Sequence, residues 1–122
     1  MRRTIPLGLV LALLAGCGTP LPPETDPAAG RDVLKSVLDN WAKGGTPADL
    51  KAGASPVIAY DPDWEEGYKL VNYEIAPTDR RAGVDLLVSV KLTVAKGTEK
   101  PREKTVNFTV AIGPQTVVIR ET

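Results

Sequence analysis

The chain has 122 residues, room for one domain, and its 43% hydrophobic and 25% charged content is that of a globular protein. Basic and acidic residues balance at 15 each, and no clustered basic surface of the kind nucleic acid requires stands out. There is no histidine and a single cysteine, which removes Ser-His-Asp and Cys-His catalysis, most zinc sites and any internal disulfide.

The N-terminus reads as a leader. Met1-Arg2-Arg3 is a basic start, and Ile5 to Ala15 is an apolar run. As a helix that run spans about 17 Å, well short of the roughly 20 residues a bilayer crossing needs. Length and flanks fit a signal peptide rather than a permanent membrane helix. Leu14-Ala15-Gly16-Cys17 then resembles the lipobox of bacterial lipoproteins: apolar, small, small, cysteine. The resemblance implies removal of residues 1–16 and a diacylglyceryl group on the thiol of Cys17, which becomes the new N-terminus. Two or three acyl chains, at about 0.8 kcal/mol per buried CH₂, anchor stably where one does not. Gly18 stands where an aspartate favours inner-membrane retention in enteric bacteria, which points mildly to the outer membrane. An ordinary secretory signal that happens to abut a cysteine is the plainer alternative.

Loss of Arg2 and Arg3 leaves 13 basic against 15 acidic side chains, a net charge of −2. Residues 17–26 form the lipidated cysteine and a tether, with Pro20, Pro22 and Pro23 barring helix or sheet interior. At about 3.1 Å per residue it holds the domain roughly 25–30 Å from the membrane.

Residues 27–122 form a single α+β domain. Asp26-Pro27 is a cap followed by proline at the first helical position. Val33, Leu34, Val37, Leu38 and Trp41 then share one helical face, and Gly44-Gly45 ends it. Thr46-Pro47 begins a second, very short helix that Gly53 ends. From Ser55 the period becomes two. Val57 to Tyr60 is a short strand, and Asp61 to Gly67 a polar turn. Tyr68 to Ala76 alternates with Val71, Tyr73 and Ile75 on one face, and Pro77 to Gly83 is a charged turn. Val84 to Ala95 gives the clearest strand, Leu86, Val88, Val90, Leu92 and Val94 alternating with polar residues. A hairpin loop turning at Lys96-Gly97 leads to a strand over Lys104 to Ile112, and Thr116 to Arg120 makes the last one. Sequential strands with short connections predict an antiparallel meander. The expected fold is an N-terminal amphipathic helix packed on a curved, four-stranded antiparallel sheet. That order of elements, with the Asp61 to Ile75 stretch and a C-terminal Val117 to Glu121, resembles a reduced cystatin-like or NTF2-like roll. Such folds carry enzymes, transport factors and inert adaptors alike, so the resemblance implies no activity.

The densest acidic cluster is Asp61-Pro62-Asp63-Trp64-Glu65-Glu66. A calcium loop beginning at Asp61 would need glycine at its sixth position and glutamate at its twelfth, where Glu66 and Asn72 stand. The expected role is structural: Asp63 caps one helical turn, with Glu65 and Glu66 at its positive end. Paired carboxylates can perform acid–base work without histidine, but nothing sets one of Glu65, Glu66 and Glu74 in an apolar setting. Of the aromatics, Trp41 and Tyr73 read as core. Tyr60, Trp64 and Tyr68 are the candidate ligand or partner surface. Lys96, Lys100, Arg102 and Lys104 form a basic hairpin tip diluted by Glu99 and Glu103, a solvated loop or a contact for anionic head groups. Gln115-Thr116-Val117-Val118 is similar to part of a cystatin inhibitory loop, except that Ile119 replaces its glycine.

The sequence therefore predicts a lipid-anchored cell-envelope protein, outer-membrane or periplasm-facing, with the inner membrane or the cell surface as alternatives, whose domain is a structural or protein-interaction module. Neither catalytic residues nor cofactor nor metal is expected. Its expected partners are the membrane, through diacylglyceryl-Cys17, and an envelope protein, but no nucleic acid. The alternative is a small-ligand-binding domain using an aromatic-rimmed cone between helix and sheet.

Overall fold

A computed structural model describes residues 23–121. Leu14, Ala15, Gly16 and Cys17, on which the anchoring expectation rests, lie outside the described residues. Helix α1 (Pro27–Ala42) is followed by a five-residue helix α2 (Pro47–Lys51), strand β1 (Val57–Tyr60) and a single turn α3 (Pro62–Glu65). Four strands complete the chain: β2 (Lys69–Ala82), β3 (Asp85–Ala95), β4 (Arg102–Ala111) and β5 (Thr116–Arg120).

Local chemistry sets the helices. The Asp26 carboxylate accepts the Ala29 backbone N–H at 2.9 Å, and Pro27 occupies the first turn, where its missing N–H costs nothing. Leu34, Val37, Leu38 and Trp41 recur at i, i+3, i+4 and i+7 and are all buried. Gly44, at φ +89°, takes the left-handed conformation that lets the chain leave the helix. Thr46 and Asp49 form a reciprocal capping box that holds α2.

All strands lie in one sheet of order β1-β5-β4-β3-β2. Strands β2 to β5 form the expected antiparallel meander. The sheet nevertheless has five strands, not four, and it is mixed: β1 pairs in parallel with β5, Val57 to Tyr60 against Thr116 to Ile119. The first and last strands thus meet, and β5 is interior. This overturns the four-stranded, all-antiparallel expectation, and the reduced cystatin-like or NTF2-like roll goes with it. Periodicity marks strands but not which strands pair when they are distant in sequence.

Two further expectations fail in β2. Val71 does not share a face with Tyr73 and Ile75: the register slips between Leu70 and Asn72, and Val71 is 56% exposed. Residues 77–82 are strand rather than turn, after a second irregularity between Ile75 and Asp79 that accommodates Pro77. Arg31 of α1 holds this bulge, donating to the Ala76 carbonyl at 2.6 Å and pairing with Asp79 at 3.4 Å. The true β2–β3 turn is at Gly83, where φ is +68°.

The core lies between α1 and one face of the sheet, where Leu34, Leu38, Leu86, Val88, Val90, Leu92, Val94 and Val110 are at most 1% exposed. Thr25 fixes the entry to the domain, one residue inside the stretch read as tether. Its backbone N–H donates to the Val84 carbonyl (2.9 Å), and its hydroxyl accepts from the Ile112 N–H (3.2 Å). The chain therefore enters at the end of the sheet where the β2–β3 and β4–β5 connections turn.

Truncating Leu38, which is fully buried, to alanine is expected to cost about 3 kcal/mol in urea unfolding. Val71→Ala, on the exposed bulge, is expected to stay within about 0.5 kcal/mol of the parent. Equal losses at both positions would contradict this placement of the core.

Candidate functional site

The acidic stretch folds onto the inner face of the sheet, beyond the end of α1. Asp61, not Asp63, caps the α3 turn: its Oδ1 accepts the backbone N–H groups of Asp63 (2.7 Å) and Trp64 (3.2 Å). Asp61 is 1% exposed and Asp63 7%. Burial of two carboxylates requires partners, and the strands supply them. Arg120 of β5 places Nη1 3.2 Å from Asp61 Oδ1 and 2.6 Å from Asp63 Oδ2. Lys104 of β4 donates to Asp63 Oδ2 at 2.9 Å. Glu65 and Glu66 point to solvent.

Burial alone would push the Asp63 carboxyl up. The hydrogen bonds and charges of Lys104 and Arg120 outweigh that effect and hold it below the ordinary carboxylate range. For Arg120, burial acts against the charge, and the bonds to Asp63 and the Asp61 charge overcome it, so the guanidinium is held more basic than usual. Lys104 is therefore no part of a solvated hairpin tip. Sequence reading missed both basic residues, although each stands on the inward side of its strand, Lys104 in line with Val106 and Phe108, and Arg120 in line with Val118.

The three candidate aromatics do not converge. Trp64 is buried, stacked on Trp41 with centroids 5.3 Å apart and planes 13° apart, and its indole donates to the Gly45 carbonyl at 3.1 Å. The Trp41 indole donates to the Tyr68 carbonyl at 2.8 Å. The Tyr68 side chain lies at the far end of the sheet between Lys96 and Arg102, whose charges sit 5.3 and 5.6 Å from its ring. Arg102 also donates to the phenol oxygen at 3.0 Å. Tyr60 is on the opposite face of the sheet, 46% exposed. The space between helix and sheet that Trp41, Trp64, Phe108 and Val118 enclose has a volume of ≈ 0 Å³, being filled by those side chains. A larger cleft, ≈ 480 Å³, lies near the entry end between Val33, Lys51, Val57, Ile58 and Pro114, and no aromatic lines it.

A second polar seam joins α1 to β2. The Tyr73 hydroxyl donates to Asp39 Oδ1 at 2.6 Å, and Lys35 donates to Asp39 Oδ2 at 3.0 Å. Tyr73 first and Lys35 second hold the Asp39 carboxyl below its usual range. Burial and the same bond raise the Tyr73 phenol. Among the described residues, no three acidic or cysteine side chains gather as metal ligands would, and no helix is long and apolar enough to cross a membrane.

The arrangement around Arg120 is a structural junction with a pH signature. A depressed Asp63 contributes stability above its unfolded value of about 3.9 and loses it as pH falls through the lower folded value. Acid unfolding is therefore expected to steepen below about pH 4, and Asp63→Asn is expected to flatten that limb. Arg120→Met, which leaves buried Asp61 without a cationic partner and Asp63 with Lys104 alone, is expected to cost about 3–5 kcal/mol near neutral pH. Unchanged acid and neutral stability in both variants would contradict the junction.

No protein-family description, no curated protein and no solved structure matches this chain.

Proposed function

We propose that the chain is a lipid-anchored protein of the bacterial cell envelope whose domain acts as a protein-interaction module rather than an enzyme. The observation that carries this is the ordered set of basic start, apolar run and Leu14-Ala15-Gly16-Cys17 box. The geometry of the domain is compatible with a tether. Thr25 fastens the incoming chain at one end of the sheet. The β3 strand of 11 residues carries the β3–β4 turn about 35 Å towards the other end. Lys96, Lys100 and Arg102 therefore stand at the end of the sheet remote from Thr25.

The chemistry of the interior favours a module as well. The buried carboxylates Asp61 and Asp63 are engaged in holding the α3 turn, and Asp39 in the α1–β2 seam. The enclosure between helix and sheet is occupied by tryptophan and aliphatic side chains, so recognition falls to the outer surface.

The anchor is tested by Cys17→Ser. The variant is expected to accumulate as an unprocessed precursor or to leave the membrane fraction, while the parent chain takes up labelled fatty acid and sediments with membranes. Normal maturation and membrane retention of the variant would contradict anchoring through this residue.

A further inference from the structure

The inward side of β4 turns from apolar to cationic towards the β3–β4 connection. Phe108 and Val106 are followed at alternate positions by Lys104 and Arg102, opposite the buried Leu92 and Val94 of β3. Lys104, like Arg120 of β5, meets a carboxylate of the α3 turn. Arg102 lies one inward position further. Among the described residues neither Arg102 nor Lys96, just past β3, pairs with a carboxylate. Glu103 faces the other side of the sheet, opposite Thr93, and Glu99 is exposed in the turn.

Tyr68 holds the two cations at one place. Their charges sit 5.3 and 5.6 Å from its ring, and Arg102 Nη2 donates to the phenol oxygen at 3.0 Å. That bond uses the phenol as an acceptor, so its O–H remains to donate. Among the described residues this O–H, the Lys96 ammonium and the other N–H groups of Arg102 have no acceptor. By contrast the Tyr73 phenol donates to Asp39, and Arg31 to the Ala76 carbonyl.

We infer that Lys96, Arg102 and the Tyr68 hydroxyl form a binding site for a phosphate group, as a phosphomonoester or the free ion. Such a group presents three terminal oxygens and close to two negative charges near neutral pH. The guanidinium fork engages two of the oxygens, and the phenol O–H and the ammonium close on the third. A carboxylate has one oxygen too few for these donors, and one charge against two cations. Phosphate from outside thus does for Arg102 and Lys96 what Asp61 and Asp63 do for Arg120 and Lys104. The site adds a ligand to the module proposed above. It does not rest on the anchor, since no tether residue takes part.

The test is phosphate titration of the nitrogen-15-labelled mature chain, followed by its amide resonances, in uncharged detergent if it carries lipid. Ionic strength is held constant, at about pH 7.5, where phosphate is chiefly the dianion. Saturable shifts confined to Tyr68, Lys96, Arg102 and their neighbours are expected. Arg102→Gln is expected to weaken binding about tenfold, and Tyr68→Phe, which keeps the ring and both cations, about threefold. Lys51→Gln, which removes an unpaired cation beside the entry-end cleft, is expected to leave it unchanged. Acetate is expected to bind about tenfold more weakly than phosphate. Glycerol 3-phosphate binding more tightly than inorganic phosphate identifies the head group of an anionic lipid as the source; equal or weaker binding identifies the free ion. Shifts that grow linearly and spread over cations of the whole surface would overturn the inference. So would either Arg102→Gln or Tyr68→Phe binding phosphate as the parent does, or acetate binding equally well.

Discussion

The guanidinium of Arg120, held between the carboxylates of Asp61 and Asp63, is the contact on which the closed form of this domain depends. It joins the last strand to the turn that follows the first, across 57 to 59 residues of sequence. Its charges are costly to bury, and removing one partner would leave the others uncompensated. The pairing therefore specifies one arrangement of the α3 turn more than it adds net stability. Lys104 shares Asp63 Oδ2, and the backbone N–H groups of Asp63 and Trp64 donate to Asp61 Oδ1, so the two carboxylates draw partners from three elements.

The reason for charge on the inner face is geometric. Helix α1, at 16 residues, is about 24 Å long, whereas the 11-residue β3 extends about 35 Å. The helix cannot cover the whole sheet. Over the uncovered stretch the inward alternation of β4 and β5 changes from Phe108 and Val118 to Lys104 and Arg120, and the acidic α3 turn folds over them. Trp64 brings the apolar part of the cover and stacks on Trp41, the last buried residue of α1. At the opposite end Arg31 plays a comparable part, closing the β2 bulge around the Ala76 carbonyl.

Local signals in the sequence were enough for much of this. The caps at Asp26 and Thr46, the buried stripe from Leu34 to Trp41, and the alternation of Leu86 to Val94 are all local, and each forms as its pattern requires. What escaped is long-range. The pairing of β1 with β5 joins segments nearly 60 residues apart, and no periodicity reports it. The extension of β2 through Asp79 to Ala82 depends on an arginine 45 residues upstream. The same limit applied to the candidate surface. Tyr60, Trp64 and Tyr68 are near one another in sequence, but a strand end, a helical turn and a glycine send them to the outer face, the core and the far end of the sheet. Charge at inward strand positions was the readable sign that acidic residues would be drawn inside.

The parallel β1–β5 pair connects these observations. It brings Asp61 to Arg120, makes β5 an interior strand, and sets Ile58 and Tyr60 beside Val117 and Ile119 on the sheet face opposite the buried Ala59 and Val118. Nuclear Overhauser contacts across the sheet test it most directly. Backbone contacts between Ile58 and Val117 and between Tyr60 and Ile119, with slowly exchanging amides along β5, are the expected result. Absence of those contacts, with β5 amides exchanging as those of an edge strand, would contradict the five-stranded fold and the junction that depends on it.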